Sequence, residues 1–139
     1  MKALFCLLLV ILPLSAFSTS GVASDTNGDG KSDQWVEKKE NGDTILRIDR
    51  NSNGKVDYLV KINEQGKKIY EEIDFNYDGV MDDFYYYIEG VLKRREIDTN
   101  FDGKIDLWVY IDKGIYIESY EQDKDFDGEI DYKHEFGKD

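Results

Sequence analysis

Apolar and polar residues alternate along this chain in short runs, separated by two kinds of polar interval. The runs "QWVEKK" (34–39), "YLVKIN" (58–63), "DFYYYI" (83–88), "LWVYID" (107–112) and "YKHEF" (132–136) each follow an acidic interval. The runs "TILRI" (44–48), "KIYEEI" (68–73), "LKRREI" (92–97) and "YIESYEQ" (116–122) each precede the next one. All are rich in Tyr, Ile, Val, Phe or Trp and too short for stable helices, so the pattern predicts strands. Within each repeat the two strands are joined through a glycine, in Asn41–Gly42, Gln65–Gly66, Glu89–Gly90 or Lys113–Gly114. Glycine supplies the left-handed backbone that tight hairpins need. The single proline, Pro13, lies before all of these runs and interrupts none of them. The expectation is an all-β fold, an antiparallel meander of about nine strands built from hairpin repeats.

In a meander, successive connections fall on opposite ends of the sheet. The glycine hairpins therefore share one end, and the acidic intervals line the other, two strands apart or about 9–10 Å. Trp35, Leu59, Phe84 and Trp108 share one register position, and Val36, Val60, Tyr85 and Val109 the next, on the opposite face. Neither face is cleanly polar. Ile48, Ile73 and Ile97 precede acidic intervals and are expected to pack beneath them. A strongly twisted sheet stabilised by contacts between neighbouring repeats fits this pattern. A propeller does not, since its blades need four strands each. The charge-rich last strand reads as an edge guarded against further pairing.

The amino terminus has a different composition. Lys2 is followed by an apolar run from Ala3 to Leu14 and then by small residues ending in "GVA". That order predicts a secretory signal peptide over residues 1–23, and a mature domain over 24–139. The run is too short to span a bilayer, which takes about 20 residues. Cys6 has no lipobox before it, which argues against a lipid anchor. The whole chain carries 18 basic and 30 acidic residues; losing Lys2 leaves 17 against 30, a net charge of −13. Such a charge disfavours nucleic acid and anionic lipid as partners and favours a cation. With Cys6 gone, no cysteine remains to form a disulfide.

The acidic intervals carry the candidate chemistry. Their first residues, Asp25, Asp49, Asp74, Asp98 and Asp123, recur at spacings of 24, 25, 24 and 25. Numbered from that residue, positions 1, 3, 5 and 9 hold Asp25, Asn27, Asp29 and Asp33 in the first loop, and Asp49, Asn51, Asn53 and Asp57 in the second. The third has Asp74, Asn76, Asp78 and Asp82, and the fourth Asp98, Asn100, Asp102 and Asp106. The fifth has Asp123, Asp125, Asp127 and Asp131. Position 6 is always glycine. Calcium takes 6–8 oxygen ligands, and short side chains at 1, 3 and 5 can converge when the chain curls about a point. The glycine permits the bend. The position 7 carbonyl (Lys31, Lys55, Val80, Lys104 or Glu129) and the position 9 carboxylate can then close the shell. Zinc and copper are disfavoured, because soft ligands are missing and His134 is the only histidine. Magnesium prefers fewer protein ligands and a stricter octahedron. A plain Asx-Gly turn needs the glycine but not a carboxylate three residues later.

These loops resemble the first nine residues of an EF-hand calcium loop. Val56, Met81, Ile105 and Ile130 match its apolar position 8, and Ser32 departs from it. At position 12, where an EF-hand has a bidentate Glu, stand Val36, Val60, Tyr85, Val109 and His134, and the flanks are strands. The pattern D-x-[DN]-x-[DN]-G-x-x-D before a strand is more similar to the calcium loops of integrin alpha-subunit (FG-GAP/VCBS-type) repeats and related bacterial secreted repeats. The resemblance covers the loops and little else. It implies calcium binding in an extracytoplasmic protein, periplasmic or extracellular, with up to five Ca2+ per chain.

The formal loop charges of −3, −2, −3, −3 and −4 sum to −15. Two unit charges 10 Å apart repel by about 0.4 kcal/mol in water, so facing loops of −3 repel by up to ~4 kcal/mol before screening. The fifth loop should therefore hold a cation most tightly, and the second, with two amides, least. The function expected is a calcium-ordered structural or interaction scaffold without catalysis. The alternative is a recognition module for a cell-surface protein or glycan, in which calcium supports an aromatic patch drawn from Phe84 to Ile88 with Trp108 and Tyr110. An enzyme ranks third: the carboxylates are absorbed by the loops, and His134 has no nucleophile or second His beside it.

Overall fold

The computed structural model describes residues 21–137. Among them are ten strands: β1 (Gly21–Ser24), β2 (Gln34–Lys38), β3 (Thr44–Ile48), β4 (Tyr58–Ile62), β5 (Lys68–Ile73), β6 (Asp83–Ile88), β7 (Val91–Ile97), β8 (Leu107–Asp112), β9 (Tyr116–Gln122) and β10 (Tyr132–Glu135). They form one open antiparallel sheet in chain order, a meander. Nine are the strands that the alternation predicts. The tenth, β1, pairs Val22 with Val36 and Ala23 with Trp35. Four small residues with no alternation carry no strand signal. The expected leader falls outside the described residues except for Gly21, Val22 and Ala23, so cleavage after Ala23 would separate three of the four β1 residues from the sheet.

All the glycine turns lie at one end of the sheet and all five acidic loops at the other. Glu89 and Gly90 join β6 to β7 with φ of 52° and 79°. Two successive left-handed residues make a turn whose twist matches the flanking strands. The β2–β3 and β4–β5 turns both span five residues, 39–43 and 63–67. In the second hairpin the register slips between Lys61 and Ile62, so Ile69 is extra. This β-bulge accounts for that repeat being one residue longer than the first. Similar slips occur between Tyr86 and Tyr87 and between Tyr110 and Ile111.

The register explains how a single layer covers its apolar surface. On one face a row runs Trp35–Arg47–Leu59–Glu72–Phe84–Glu96–Trp108–Glu121, each member opposite the next. Ring or aliphatic group alternates with a charged side chain whose stem lies beside it. The other face runs Val36–Leu46–Val60–Glu71–Tyr85–Arg95–Val109–Tyr120. Ile48, Ile73 and Ile97 are half-buried on that face, in the row next to the loops. Only Ile45, Leu59, Val60 and Val109 are buried aliphatics among the described residues, against ten buried acids. An ordinary two-layer core is therefore replaced by tyrosine, carboxylate and cation.

Glu71 accepts hydrogen bonds from Tyr58 and Lys68 and, at 2.7 Å, from Tyr87. Asp83, fully buried, takes the Arg95 guanidinium on both oxygens and the Tyr85 hydroxyl at 2.8 Å. Cations lie over ring faces: Arg50 on Tyr58 and Arg94 on Tyr86, both at 4.4 Å, Lys61 on Tyr70 at 4.6 Å, and Arg95 on Tyr85 at 4.7 Å. Burial raises the Glu71 carboxyl, but the Tyr58, Lys68 and Tyr87 bonds outweigh it and hold the group below its ordinary value. Burial and the bond to Glu71 push the Tyr58 hydroxyl up to about 12. Burial and the bond to Asp83 push Tyr85 up to about 12 as well.

These shifts set stability at both pH extremes. A carboxyl lowered by folding stabilises above its unfolded value and loses that contribution as pH falls through the folded one. A phenol raised by folding stabilises below its ordinary value near ~10 and loses that contribution as pH climbs. Glu71→Gln should cost about 1–3 kcal/mol near neutral pH in denaturant titrations. Its deficit should shrink below the carboxylate range. The wild-type melting temperature should fall between about pH 10 and pH 12, and Tyr58→Phe should blunt that fall.

Candidate metal centres

Every loop is built by the same backbone-to-carboxylate bonds. The position 1 carboxylate accepts the position 6 glycine amide: Asp25 from Gly30 (2.8 Å), Asp49 from Gly54 (2.7 Å), Asp74 from Gly79 (2.8 Å), Asp98 from Gly103 (2.7 Å) and Asp123 from Gly128 (2.7 Å). Position 4 is left-handed in all five loops, at Gly28, Ser52, Tyr77, Phe101 and Phe126. With the position 6 glycine it forms a concave nest of amides, which suits an anion. A bulky left-handed residue costs roughly 1–2 kcal/mol. The rings of Tyr77, Phe101 and Phe126 nevertheless remain exposed.

Positions 3 and 5 close successive Asx turns. Asn27 accepts from Asp29 N–H, Asn51 from Asn53, Asn76 from Asp78, Asn100 from Asp102 and Asp125 from Asp127. Asp29, Asn53, Asp78, Asp102 and Asp127 then accept the N–H of Lys31, Lys55, Val80, Lys104 and Glu129, the position 7 residues. The position 9 carboxylate reaches back to position 2. Asp33 accepts from Thr26 (3.0 Å), Asp57 from Arg50 (2.7 Å), Asp82 from Phe75 (2.8 Å), Asp106 from Thr99 (2.8 Å) and Asp131 from Lys124 (2.7 Å).

Positions 1 and 9 also lock the loops to one another. The N–H of Asp49, Asp74, Asp98 and Asp123 donates to the carbonyl of Asp33, Asp57, Asp82 and Asp106 in the preceding loop, at 2.8–2.9 Å. Asn27 donates to Ser52 at 2.7 Å, and the Lys55 ammonium reaches the Asp78 carbonyl. Positions 1 and 9 are buried except at the two ends, Asp25 and Asp131, whereas positions 3 and 5 are exposed throughout.

The loops differ in how far their ligand groups converge. In the fifth, one oxygen each of Asp123, Asp125 and Asp131 lie within 4.8 Å of one another, the one such acidic triad among the described residues. The Asp127 carboxylate is not part of it and is occupied with the Glu129 amide. Asp123 is buried, and its Oδ1 has no hydrogen-bond partner. A buried carboxylate oxygen without a donor is costly unless a cation faces it. Asp57 Oδ1 is likewise unbonded but has the Arg50 guanidinium 3.7 Å away. Asp127, Asp131 and Asp123 hold the Asp125 carboxyl above its ordinary value, chiefly through the first two. Burial raises Asp82, reinforced by Asp74 and Asp78 against the amides of Phe75 and Asn76. Asp33 goes the other way: burial raises it, but the Thr26 hydroxyl and amide and the Asn27 amide prevail. An all-oxygen donor set of this charge fits a hard divalent ion.

Two buried acids, Glu71 and Asp83, belong to no loop and were not expected to be inside. The sequence signal for them is the cluster of tyrosines and arginines at the same sheet positions in neighbouring strands.

No known family profile matches the chain, and no curated protein matches it. Among solved structures, the pneumococcal O-GlcNAc transferase GtfA in complex with UDP and GlcNAc is 18% identical, with a TM-score of 0.51. That alignment covers 84% of this chain and 21% of that one. A GtfA/B complex (17% identity, TM-score 0.49) and accessory secretory proteins 1, 2 and 3 of Streptococcus pneumoniae (17%, 0.45) align over 72% and 76% of this chain. The chain spans about one fifth of the length of each structure. At 18% identity the likeness to the transferase GtfA is one of fold alone. Among the described residues, no helix is long and apolar enough to cross a membrane.

Crowding in the fifth loop has a direct consequence. Asp125→Asn removes one of the repelling charges, so the melting temperature in chelator should rise above wild type. In millimolar calcium that advantage should shrink, because the asparagine keeps an oxygen at position 3, as in the other four loops, but brings one charge fewer to the cation.

Proposed function

We propose that this protein is an exported calcium-binding repeat scaffold whose acidic rim is ordered by Ca2+ and which has no catalytic activity of its own. The observation that carries the reading is the fifth loop. There Asp123, held by the Gly128 amide on one oxygen and buried without a donor on the other, sits with the Asp125 and Asp131 carboxylates. The other four loops repeat the same backbone plan with an Asn at position 3. Each carboxylate offers about four lone-pair sites, so its amide bonds leave room for a cation as well. The amides orient the carboxylates, and the ion supplies the positive charge that the chain lacks.

Calcium sites of extracellular type bind at ~10⁻⁴–10⁻³ M, so ~1 mM calcium stabilises each filled loop by about 0.4–1.4 kcal/mol. Five such loops contribute roughly 2–7 kcal/mol, comparable with the stability of a small domain. In a single-layer sheet with so few buried aliphatics, that contribution is a substantial addition to what the hydrogen-bonded loops already supply.

A second reading, recognition of a glycan or protein by an aromatic patch, has one observation in its favour. Tyr70, Met81, Phe84, Tyr86 and Glu96 line a groove of about 210 Å³. The tyrosine faces are already covered by Lys61 and Arg94, however, and the two rings meet edge to face at 5.4 Å. A sugar ring stacks on an open aromatic face, so the scaffold reading is preferred.

Calorimetric titration with calcium should give several sites per chain, and thermal melting should show a rise with calcium that exceeds the rise with magnesium. Asp123→Asn should weaken or remove the tightest site, whereas Lys113→Ala, in an opposite-end turn, should leave the stoichiometry unchanged. A titration without heat, together with a melting temperature indifferent to chelator, would falsify the proposal.

A further inference from the structure

The outer edge of β10 carries a symmetric pattern. Tyr132, Lys133, His134, Glu135 and Phe136 read aromatic, positive, histidine, negative, aromatic. About His134 the two halves match in shape and oppose in charge. The Phe136 N–H donates to the Glu118 carbonyl at 2.8 Å, while Tyr132 and His134 stand opposite Gln122 and Tyr120. Hydrogen-bonded positions alternate along an antiparallel pair, so Tyr132, His134 and Phe136 direct their backbone groups to β9. Those of Lys133 and Glu135 point away from β9. Side chains alternate too: Lys133 lies on the face of Glu121, which it pairs with at 2.7 Å. Tyr132, His134 and Phe136 form a ring cluster with Tyr120 on the other face, with His134 and Phe136 4.4 Å apart.

We propose that β10 is a self-complementary edge through which two copies of this chain pair, antiparallel about a twofold axis at His134, joining two sheets into one. With the axis there, Lys133 faces the partner's Glu135, and Glu135 faces the partner's Lys133. Both pairs fall at positions whose backbone groups point outward, so ladder bonds and ion pairs form together. On the opposite face Tyr132 meets the partner's Phe136, and the two histidines meet on the axis.

The competing registers are weaker for a physical reason. Those that preserve the hydrogen-bond alternation and lie nearest place the axis at Lys133 or at Glu135. They set lysine against lysine or glutamate against glutamate, and like charges directly opposite destabilise a sheet. In the full chain, the other edge strand among the described residues, β1, holds Gly21, Val22, Ala23 and Ser24 and offers β10 no countercharge, which disfavours head-to-tail growth. Charges that guard an edge against indiscriminate pairing thus select one closed, isologous pairing. One short strand buries little surface, so the dimer is reversible and depends on concentration. This inference does not depend on the loops binding a cation.

Sedimentation equilibrium of the full chain tests it. Wild type should rise from monomer to dimer mass with concentration and stop there. Lys133→Glu and Glu135→Lys should each weaken the dimer by about tenfold or more, because each sets two like-charge pairs face to face. The double exchange Lys133→Glu with Glu135→Lys restores both pairs and should return the dimer to near wild-type strength. Thermal melting verifies that each variant is folded. In a Cys6→Ser background, His134→Cys should form an intermolecular disulfide under mild oxidant, since axial non-hydrogen-bonded residues lie about 4.5 Å apart at Cα. A monomer at every concentration, assembly beyond the dimer, or a dimer indifferent to both single reversals would overturn the proposal. So would a His134→Cys variant that dimerises but does not cross-link.

Discussion

Backbone amides holding aspartate carboxylates are what the whole molecule depends on. In each acidic loop the position 1 aspartate takes the glycine amide and the position 9 aspartate takes the position 2 amide. The main chain of the same two residues continues the ladder from one repeat to the next. These bonds set the loop shape, bring consecutive loops side by side and fix the register of the strands that leave them. An aspartate is suited to this because its stem is short and its carboxylate can accept several donors at once. The same choice concentrates negative charge along one rim. A bound cation, as proposed, would offset the charge that this way of building the repeat concentrates.

The sheet itself meets a different difficulty, since among the described residues it has no second layer to pack against. It uses tyrosines whose rings lie under lysine and arginine and whose hydroxyls end on glutamate or aspartate. Each such group buries part of a ring and satisfies its own polar atom. Stability is thus spread over neighbour contacts between repeats, as expected for a quasi-one-dimensional architecture. Glu71 and Asp83 show the cost of this arrangement. A buried acid is favourable only while its phenol and cation partners remain in place.

Much of this was legible in the chain. Alternation located nine strands to within a residue or two, because strands half-buried on both faces retain β-branched and aromatic residues. The recurring aspartates and glycines located the loops, since the turn and the carboxylate clamp both demand particular residue types. What could not be read depends on partners distant in sequence. Strand β1 has no pattern of its own and exists by pairing with β2. The bulges at Ile69, Lys93 and Glu118 are set by a neighbouring strand. Glu71 and Asp83 read as surface residues until the register places Tyr58, Tyr87 and Arg95 around them. Formal charge already set the fifth loop apart, at −4, and among the described residues it is the one loop that gathers three carboxylate oxygens.

Amide hydrogen exchange at the five position 6 glycines, Gly30, Gly54, Gly79, Gly103 and Gly128, followed by NMR during a calcium titration, tests the account most directly. These amides should already be protected in chelator, because each is held by an aspartate. Protection should deepen as calcium is added, with Gly128 responding at the lowest concentration. Exchange at unfolded-chain rates in chelator would contradict the carboxylate clamp. Protection unchanged by millimolar calcium would contradict the role assigned to the ion.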